Sequence, residues 1–478
     1  MNHRFQSLDK NFVLDVDSGA IHVVDEVVYR ILPIIEPVIN DILSISDNEN
    51  GLSQIPQELF VRLQDLANER GECLPDTSVL SEAITEILSL VKAGLLFSQE
   101  SYQEVVTDFV NRQTVTKALC LHVSHDCNLA CRYCFAKEGE YHGERGMMSE
   151  QVGKAAIDYL IAHSGNRINL EVDFFGGEPL MNFELVKELV AYGRSKEKEY
   201  NKRFRFTLTT NGVLLTDEVM AFCNQEISNM VFSLDGRKEV HDRMRPFRGG
   251  QGSFDVVLPK IRRAVEQRGN LDYYVRGTFT KQNLDFAADV LALADMGFSR
   301  ISVEPVVGDE TDPYAITKEN IPFLCEQYDI LLTEMIKRRA QGNDFGFFHF
   351  QLDLSGGPCV AKRLAGCGSG TEYLAVTPWG DLYPCHQFVG EESYLMGNVW
   401  NGVLRSDLQE SFHRCNVFEK EACKSCFAKY YCSGGCAANA VHYGKDAQGV
   451  YEIGCVLMKK RVECAIALYC SDLCDTLP

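Results

Sequence analysis

Three cysteines stand within eight residues of the stretch "SHDCNLACRYCFA" (124–136), spaced C-x3-C-x2-C at Cys127, Cys131 and Cys134. Thiolates on one compact loop can converge on an iron–sulfur cube, whose irons are normally held by cysteine. Three ligands leave one iron without a protein ligand, and an open coordination position on a metal is where chemistry takes place. A zinc knuckle with His125 as a distant fourth ligand is the alternative interpretation.

A second group of cysteines lies near the C-terminus, with the spacing C-x17-C, then C-x2-C-x5-C-x3-C, then one final cysteine. Thiols this close in sequence cannot all pair with one another as disulfides, but they can wrap metal clusters. A zinc ribbon over 423–436 is the alternative. The members of the group are Cys367, Cys385, Cys423, Cys426, Cys432, Cys436 and Cys455.

Composition limits the classes of protein. The 478 residues suffice for two or three domains, and 45% hydrophobic with 24% charged residues is typical of a soluble globular protein. We find no apolar run long enough to span a membrane and no secretory signal, so we expect a cytoplasmic protein without a membrane partner. The net charge of -20 argues against nucleic acid. In a cytosolic chain, nineteen cysteines indicate metal sites or thiol chemistry.

Residues 1–105 read as a small first domain. Two apolar runs flank "DSG" in "FVLDVDSGAIHVVD" (12–25), which predicts a β-hairpin. Apolar residues recur at helical spacing over 56–70 and 78–93. Strands followed by helices suggest a winged-helix-like module.

Residues 106–345 alternate short apolar runs with helical patterns. Six such β-strand/α-helix units in series predict an α/β fold with a parallel sheet, and a partial (β/α)6 barrel is the natural form. In such folds the loops after the strands carry the chemistry. The predicted strands are 118–124, 170–177, 204–212, 230–236, 273–280 and 300–308, and predicted helices between them include 182–199, 253–268 and 283–296.

Residues 346–478 change character. Glycine and cysteine become more frequent, long helical periodicity fades, and we expect loops to dominate. A region with so little conventional core needs cross-links, and metal is the obvious candidate.

The cysteine loop, with Tyr133 as the aromatic residue in C-x3-C-x-aromatic-C, resembles the signature of the radical S-adenosylmethionine (SAM) superfamily. In that family the open iron of a [4Fe–4S] cluster binds the amino and carboxylate groups of SAM. Reductive cleavage of SAM gives a 5′-deoxyadenosyl radical that abstracts a substrate hydrogen. The resemblance implies that Cys127, Cys131 and Cys134 are the catalytic cluster ligands.

The same resemblance implies SAM contacts in the strand-end loops. In the family, the loop "GGEP" (176–179) receives the SAM amino group; glycines permit close backbone approach, and a carboxylate can pair with an ammonium. The family also places polar groups in loops such as "TTNG" (209–212) and "SLDG" (233–236), near the methionine and ribose. Ordinary turn or structural roles are the alternatives. The candidates are Gly176, Gly177, Glu178, Thr210, Asn211, Ser233, Asp235, Arg276 for the SAM carboxylate, and Glu304 as a pocket-lining residue.

The segment "HDRMRPFRGGQGSF" (241–254) carries several arginines that are candidates for a substrate channel. A solvated loop before a helix is the favoured interpretation.

The C-terminal cysteines resemble the SPASM domain, an extension of radical SAM enzymes that modify peptides and proteins. Cys359, in "GGPC", is the candidate fourth ligand of the first auxiliary cluster, although some family members leave that iron open for substrate. SAM and three [4Fe–4S] clusters are then the implied cofactors. The resemblance assigns Cys367, Cys385 and Cys436 to a first auxiliary cluster and Cys423, Cys426, Cys432 and Cys455 to a second.

The full arrangement resembles thioether-forming maturases of "SCIFF" cysteine-rich peptides (ranthipeptide or sactipeptide maturases). The segments that carry this likeness are "LDVDSGAIHVVD", "CNLACRYCFA", "AVTPWGDLYPCHQFVG" and "MGNVWNG". It implies a cysteine-rich precursor peptide whose leader binds the first domain as an added strand. It also implies a flavodoxin or ferredoxin electron donor. A generic structural cap is the alternative for the first domain.

Three other functions remain open at this point. An anaerobic sulfatase-type maturase would act on a protein cysteine or serine, and we expect it to lack a leader-binding domain. A carbon–carbon cross-linking or decarboxylating peptide enzyme would share the architecture. From another class, a non-catalytic iron–sulfur electron carrier would have no use for "GGEP" or an open iron.

Overall fold

The computed structural model describes residues 1–48, 55–100, 111–141, 143–354 and 364–474. At the N-terminus, three antiparallel strands form a separate sheet in the order β1-β2-β3. The predicted hairpin corresponds to β2 and β3, and the two predicted helices to α3 and α4. The elements are β1 Asn2–Ser7, β2 Lys10–Asp15, β3 Ile21–Val24, α1 Glu26–Ile35, α2 Ile39–Asn48, α3 Gln57–Glu69 and α4 Thr77–Lys92.

The centre of the molecule is a parallel sheet in which six strands lie side by side in chain order. Side chains of β6 and β7 alternate between buried and more exposed, so every second residue enters the core. The path of strands has two ends and does not close on itself. The strands are β4 Ala118–His125, β5 Gly146–Met147 (antiparallel beside β4), β6 Asn169–Gly176, β7 Arg203–Thr210, β8 Asn229–Ser233, β9 Asp272–Phe279 and β10 Arg300–Pro305.

Helices connect the parallel strands, and several begin at side-chain caps. Ser149 accepts a hydrogen bond from Val152 N, and Thr216 accepts one from Val219 N. Because each helix returns the chain to the edge where the strands begin, the carboxyl ends of all the parallel strands lie at the opposite edge. The helices are α5 Glu150–His163, α6 Phe183–Tyr200, α7 Asp217–Glu226, α8 Lys238–Met244, α9 Phe254–Arg268, α10 Phe286–Asp295 and α11 Ile321–Ala340.

The sheet continues across the predicted boundary at residue 346. One short strand, β11, pairs with β10, and β12 pairs in parallel with β4 on the other side. Three further short strands extend this side in antiparallel fashion. The bounds are β11 Gly346–Phe347, β12 Tyr373–Val376, β13 Asp381–Tyr383, β14 Gly397–Asn398 and β15 Gly402–Val403.

The prediction that loops dominate the C-terminal region is wrong for its last segment. The final helix, α16, has 23 residues and packs against α11. Its buried residues include Leu457, Val462 and Ile466, which do not share one face, so the periodicity of a one-sided helix is absent. The C-terminal helices are α12 Ser406–His413, α13 Glu421–Lys424, α14 Lys429–Cys432, α15 Ala437–Tyr443 and α16 Glu452–Cys474.

No helix within the described ranges is both long enough and apolar enough to cross a membrane.

Candidate active site

A cavity of about 750 Å³ opens at the carboxyl ends of the parallel strands. It brings together the three cysteines of the loop after β4 and most of the predicted SAM contacts. Its size suits a small-molecule ligand. The predicted residues that line it are Cys127, Cys131, Tyr133, Cys134, Gly176, Gly177, Glu178, Thr210, Asn211, Ser233, Arg276 and Glu304.

The cysteine loop is held in place by backbone hydrogen bonds to the segment that follows α8. Ala130 N donates to Pro246 O, and Arg132 N donates to Met244 O, both at 2.9 Å. Burial raises the pKa of Cys131 to about 12, and it raises the pKa of Cys127 to the same value. Because metals bind thiolates, loading this loop with iron must release protons.

The two glycines of "GGEP" allow its backbone to lie directly against the cysteine loop. A Cβ on Gly176 would lie 2.2 Å from Ser124 O, and one on Gly177 would lie 2.1 Å from Asp126 O. Gly177 N donates to Ser124 O at 2.8 Å, which fixes the contact. The sequence led us to expect close approach to a ligand; the approach seen here is between the two loops.

Glu178 is the buried carboxylate of the cavity, with 1% of its surface exposed. It accepts hydrogen bonds from Leu180 N at 3.0 Å, Thr210 Oγ1 at 2.8 Å and Asn211 N at 2.8 Å. Burial raises the pKa of Glu178 to about 7, although these hydrogen bonds oppose the shift. Thr210 and Asn211 therefore orient a carboxylate that is easily protonated.

Asp235 does not line the cavity and lies fully buried behind its wall. It accepts hydrogen bonds from Tyr133 Oη at 2.7 Å, Arg245 Nε at 3.0 Å and Thr278 N at 3.0 Å. The structure thus gives this predicted SAM contact a supporting position, in which it orients Tyr133 and Arg245.

Arg245 is one of the arginines of 241–254 that the sequence offered as candidates for a substrate channel, and it lines the cavity. Its side chain is only 12% exposed and is paired with Asp235. The favoured interpretation of 241–254 as a solvated loop is therefore wrong at this position. Arg248 of the same segment is 39% exposed and pairs with Asp126. The positions of the two arginines in the sequence therefore did not show which of them is buried.

Glu304 and Arg276 lie on neighbouring strands at the cavity floor. Glu304 Oε1 lies 3.2 Å from His349 Nε2 and accepts a hydrogen bond from Ser302 Oγ at 3.1 Å. Burial alone would raise the pKa of Glu304, but His349, Arg461 and Arg276 together lower it strongly. The carboxylate is therefore ionised near the guanidinium groups of Arg276 and Arg461, whereas burial lowers the pKa of His349.

The far wall of the cavity comes from the C-terminal region, which the sequence did not predict. His386, directly after Cys385, lies between the rings of Phe135 and Phe175, with ring centroids 5.4 and 5.2 Å away. Burial lowers the pKa of His386 to about 4, so this imidazole is neutral. The cavity thus extends from the first cysteine loop to the neighbourhood of the C-terminal cysteines. Further residues of this wall are Gln387, Glu391, His442 and Tyr443.

The C-terminal cysteines fall into two sets of electrostatic neighbours. After burial, the charges that most raise the pKa of Cys385 are Cys436 and Cys367. For Cys423, whose pKa is raised to about 12 by burial, the neighbouring thiols are Cys432, Cys426 and Cys455. These sets correspond to the two predicted clusters; the ligand roles themselves stay predictions.

Cys359, the predicted fourth ligand of the first set, lies outside the described residues. Cys415, which the sequence left unassigned, is a neighbour of Cys367 and Cys436 in this set. Its thiol donates a hydrogen bond to Ala447 O at 3.0 Å.

The thiols suit iron–sulfur clusters better than disulfides or single ions. None of the ten predicted ligand cysteines within the described ranges is in a disulfide. In the same ranges, no three cysteine, histidine or carboxylate side chains close tightly enough around one point to hold a single metal ion. A four-iron cube is larger than one ion, and its ligands lie farther apart.

Comparison with known proteins identifies the class of the central domain. Residues 121–285 match the family model described as "Radical SAM superfamily". These residues therefore match the radical SAM superfamily, consistent with the parallel sheet and the cysteine loop.

Relatives of the chain include maturases. It is 29% identical over 350 residues to the mycofactocin maturase MftC of Mycolicibacterium smegmatis, covering 69% of this chain and 81% of that protein. It is 23% identical over 337 residues to a cysteine-type anaerobic sulfatase-maturating enzyme of Clostridium novyi, covering 66% and 86%. The structure of Streptococcus suis SuiB bound to S-adenosylmethionine is similar in fold, with a TM-score of 0.50 and 16% identity, covering 94% and 96%.

Proposed function

We propose that this protein is a radical SAM maturase that joins cysteine sulfurs of a ribosomally made, cysteine-rich peptide to carbon atoms of other residues. The observation that carries the proposal is the single cavity that reaches from Cys127, Cys131 and Cys134 to His386, beside Cys385. A cavity with both regions in its walls gives a peptide access to a hydrogen-abstracting centre and to an electron acceptor.

The chain's own residues have distinct roles in this proposal. The three loop cysteines would hold a [4Fe–4S] cluster, which with SAM supplies the 5′-deoxyadenosyl radical. Glu178 is suited to receive the SAM ammonium, and Arg276 its carboxylate, because each offers the opposite charge at the cavity wall.

Thioether formation removes two hydrogens from the peptide, one from a thiol and one from carbon. The carbon loses a hydrogen atom to the radical, and the thiol loses a proton. When the sulfur and the carbon then form their bond, one surplus electron is left to be removed. The two C-terminal cysteine sets are suited to hold clusters that accept this electron. A flavodoxin or ferredoxin is the proposed donor for the SAM-binding site.

The N-terminal sheet is the proposed binding site of the leader peptide. Within the described residues, β3 pairs with β2 alone, so its other edge offers backbone groups for strand addition. The opposite strand, β1, faces the C-terminal region: the ring of His3 stacks on Phe427 at 3.4 Å, and its Nε2 lies 2.9 Å from Glu463 Oε1. The leader would therefore bind on the side away from this contact.

A sulfatase-type maturase is the second candidate, and the relative from C. novyi favours it. That protein matches only 66% of this chain while 86% of its own length is covered, so much of this chain has no counterpart in it. The likeness in fold to SuiB spans 94% of this chain. Sequence coverage alone does not separate the two candidates, because MftC matches 69% and the C. novyi enzyme 66% of this chain; the substrate and the product separate them. A carbon–carbon cross-linking enzyme would share this architecture, and analysis of the reaction product distinguishes it from a thioether-forming enzyme.

The test is mass spectrometry of candidate peptides. Small cysteine-rich peptides encoded beside the gene are incubated anaerobically with enzyme, SAM and reductant, and free thiols are then alkylated. We expect a loss of two hydrogens per cross-link, with the corresponding thiol protected from alkylation. Deoxyadenosine formation with every thiol still reactive would contradict thioether formation.

The matched control is Cys131→Ala, which removes one ligand of the SAM-binding site and leaves every C-terminal cysteine. We expect it to abolish deoxyadenosine formation while retaining the iron of the C-terminal region. Continued SAM cleavage by this variant would contradict the whole assignment, and an electron carrier would show no SAM cleavage in either form.

A further inference from the structure

A buried lysine lies among the C-terminal cysteines without a carboxylate partner. Lys420 is 1% exposed, and its Nζ donates a hydrogen bond to Gly449 O at 2.9 Å; burial raises the pKa of the Cys415 thiol, and the charge of Lys420 lowers it. Among the described residues, the structure gives this ammonium no ion pair with aspartate or glutamate. Burying an unpaired ammonium is costly, so a compensating negative charge is expected beside it.

The position of Lys420 relates it to the second cysteine set. It directly precedes α13, and its carbonyl accepts a hydrogen bond from Cys423 N at 2.9 Å. A Cβ on Gly434 would lie 3.5 Å from Lys420 Cδ, so the side chain runs beside the turn that connects Cys432 to Cys436. Lys420 thus lies where the two cysteine sets meet.

Among the predicted ligand cysteines, those of the second set are the ones on which this charge acts. Against burial, which raises them, Lys420 lowers the pKa values of Cys423, Cys432 and Cys455. For Cys385 of the first set, the strongest charges are other thiols. The two sets therefore differ in their electrostatic surroundings.

A second buried cation, Arg461 on α16, approaches the same set. It is 9% exposed and donates from Nε to Tyr328 Oη at 2.8 Å. Its Nη2 is buried and has no hydrogen-bond partner among the described residues. Its charge also acts on Glu304 of the cavity, whose pKa it lowers, and it has Cys432 of the second set among its electrostatic neighbours.

We propose that Lys420, supported by Arg461, is the counter-cation of the second auxiliary cluster and raises its reduction potential. The inference rests on the proposed ligation of that cluster by Cys423, Cys426, Cys432 and Cys455. Four thiolates carry more negative charge than the iron–sulfide core carries positive charge, and one-electron reduction adds another negative charge. A fixed cation in a poorly solvated site stabilises the reduced form more than the oxidised form.

The test is an anaerobic redox titration of the full-length enzyme with all clusters reconstituted, followed by electron paramagnetic resonance. The signal of the second cluster is assigned by its loss in Cys426→Ser. In Lys420→Met we expect at least a tenfold fall in the one-electron reduction equilibrium constant, a shift of about 59 mV to more negative potential. Lys420→Arg, which keeps the charge, should restore the original potential.

The matched control is Lys424→Met, which removes a lysine one residue from Cys423. Its side chain is 54% exposed, so solvent screens its charge, and we expect no shift. An unchanged potential in Lys420→Met at full iron content, or an equal shift in Lys424→Met, would overturn the proposal. If Lys420→Met fails to take up iron, Arg461→Met is titrated instead, and an unchanged potential there overturns it equally.

Failure of the underlying ligation has a different signature. If Cys426→Ser retains the iron content and all the resonance signals of the parent enzyme, the second cluster assignment itself falls. A null shift in Lys420→Met with that assignment intact overturns only the role of the cation.

Discussion

The two cysteine-bearing regions are built in opposite ways. The loop of Cys127, Cys131 and Cys134 follows a strand in a parallel sheet, and backbone hydrogen bonds hold it to 244–246 and to 176–178. Three members of the second C-terminal set, Cys423, Cys426 and Cys432, lie on or between the four-residue helices α13 and α14, whereas Cys455 lies on α16; the turn after α14 has positive φ at 433–435. Helices this short are not stable alone. From this difference we expect metal binding to contribute more to the order of the second region than to that of the first.

Removal of iron is the strongest way to break this comparison. After anaerobic chelation, we expect amides of 421–443 to lose much of their protection from hydrogen exchange, because this segment of short helices carries four of the predicted cluster ligands. Amides of β6 to β9 should stay protected, since their hydrogen bonds do not depend on metal. Hydrogen exchange with mass spectrometry measures both regions in one sample. Equal loss in both regions would contradict the comparison.

Asp235→Asn tests whether the first site depends on its buried ion pair. The change leaves Arg245 buried beside a neutral side chain, so we expect the free energy of unfolding to fall by about 3–5 kcal/mol. Urea denaturation under anaerobic conditions measures it. Asp217→Asn is the control, because Asp217 and its partner Arg263 are 60% and 64% exposed. That exposed pair should contribute about 0–1 kcal/mol, and equal losses in the two variants would contradict a special role for Asp235.

Gly177→Ala tests the close contact between the two loops of the first site. The added Cβ would lie 2.1 Å from Asp126 O, so one loop must move. Such overpacking costs about 1–3 kcal/mol, which corresponds to SAM binding that is weaker by roughly ten- to a hundredfold. Calorimetry with reconstituted enzyme measures the affinity. Gly143→Ala is the control, since its Cβ would lie 3.7 Å from the nearest atom, Glu140 O; a similar loss there would argue against the loop contact.

A contrast between locally determined elements and elements that depend on distant segments also explains which parts of the fold the sequence predicted. All six central strands follow from their apolar or alternating runs, because β4 is buried throughout and β6 to β9 bury every second residue, patterns that leave a strong local signal. Helix α16 gave no such signal, since its buried residues are not confined to one face. The pairing of β12 with β4 is equally invisible, because it joins segments some 250 residues apart.

For the site, motifs located the residues but not their neighbours. The cysteine loop, "GGEP" and "TTNG" all reach the cavity as expected. Asp235 did not, because the sequence cannot show that Tyr133, Arg245 and Thr278 occupy its oxygens. Residues of the far wall, such as His386, come from a distant segment. The one local sign was its position directly after a predicted ligand, Cys385.

The smallest expected effect is the pH dependence of SAM binding, which tests the role of Glu178 at the first site. Burial raises the pKa of Glu178 to about 7, so its carboxyl takes up a proton as the pH falls through this value. A neutral acid attracts an ammonium less than a carboxylate does. We therefore expect the affinity for SAM to decrease below pH 7, by at most about tenfold per pH unit. Calorimetric titrations between about pH 8 and pH 6 measure the slope.

Glu178→Gln is the matched variant, because it keeps the size of the side chain but cannot titrate. It should bind SAM more weakly than the parent at pH 8 and show a flatter pH dependence. The iron content and reduction potentials of the C-terminal region should not change in this variant, since Glu178 lies at the first site only. A steep pH dependence that persists in Glu178→Gln would assign the titration to another group and separate Glu178 from SAM binding.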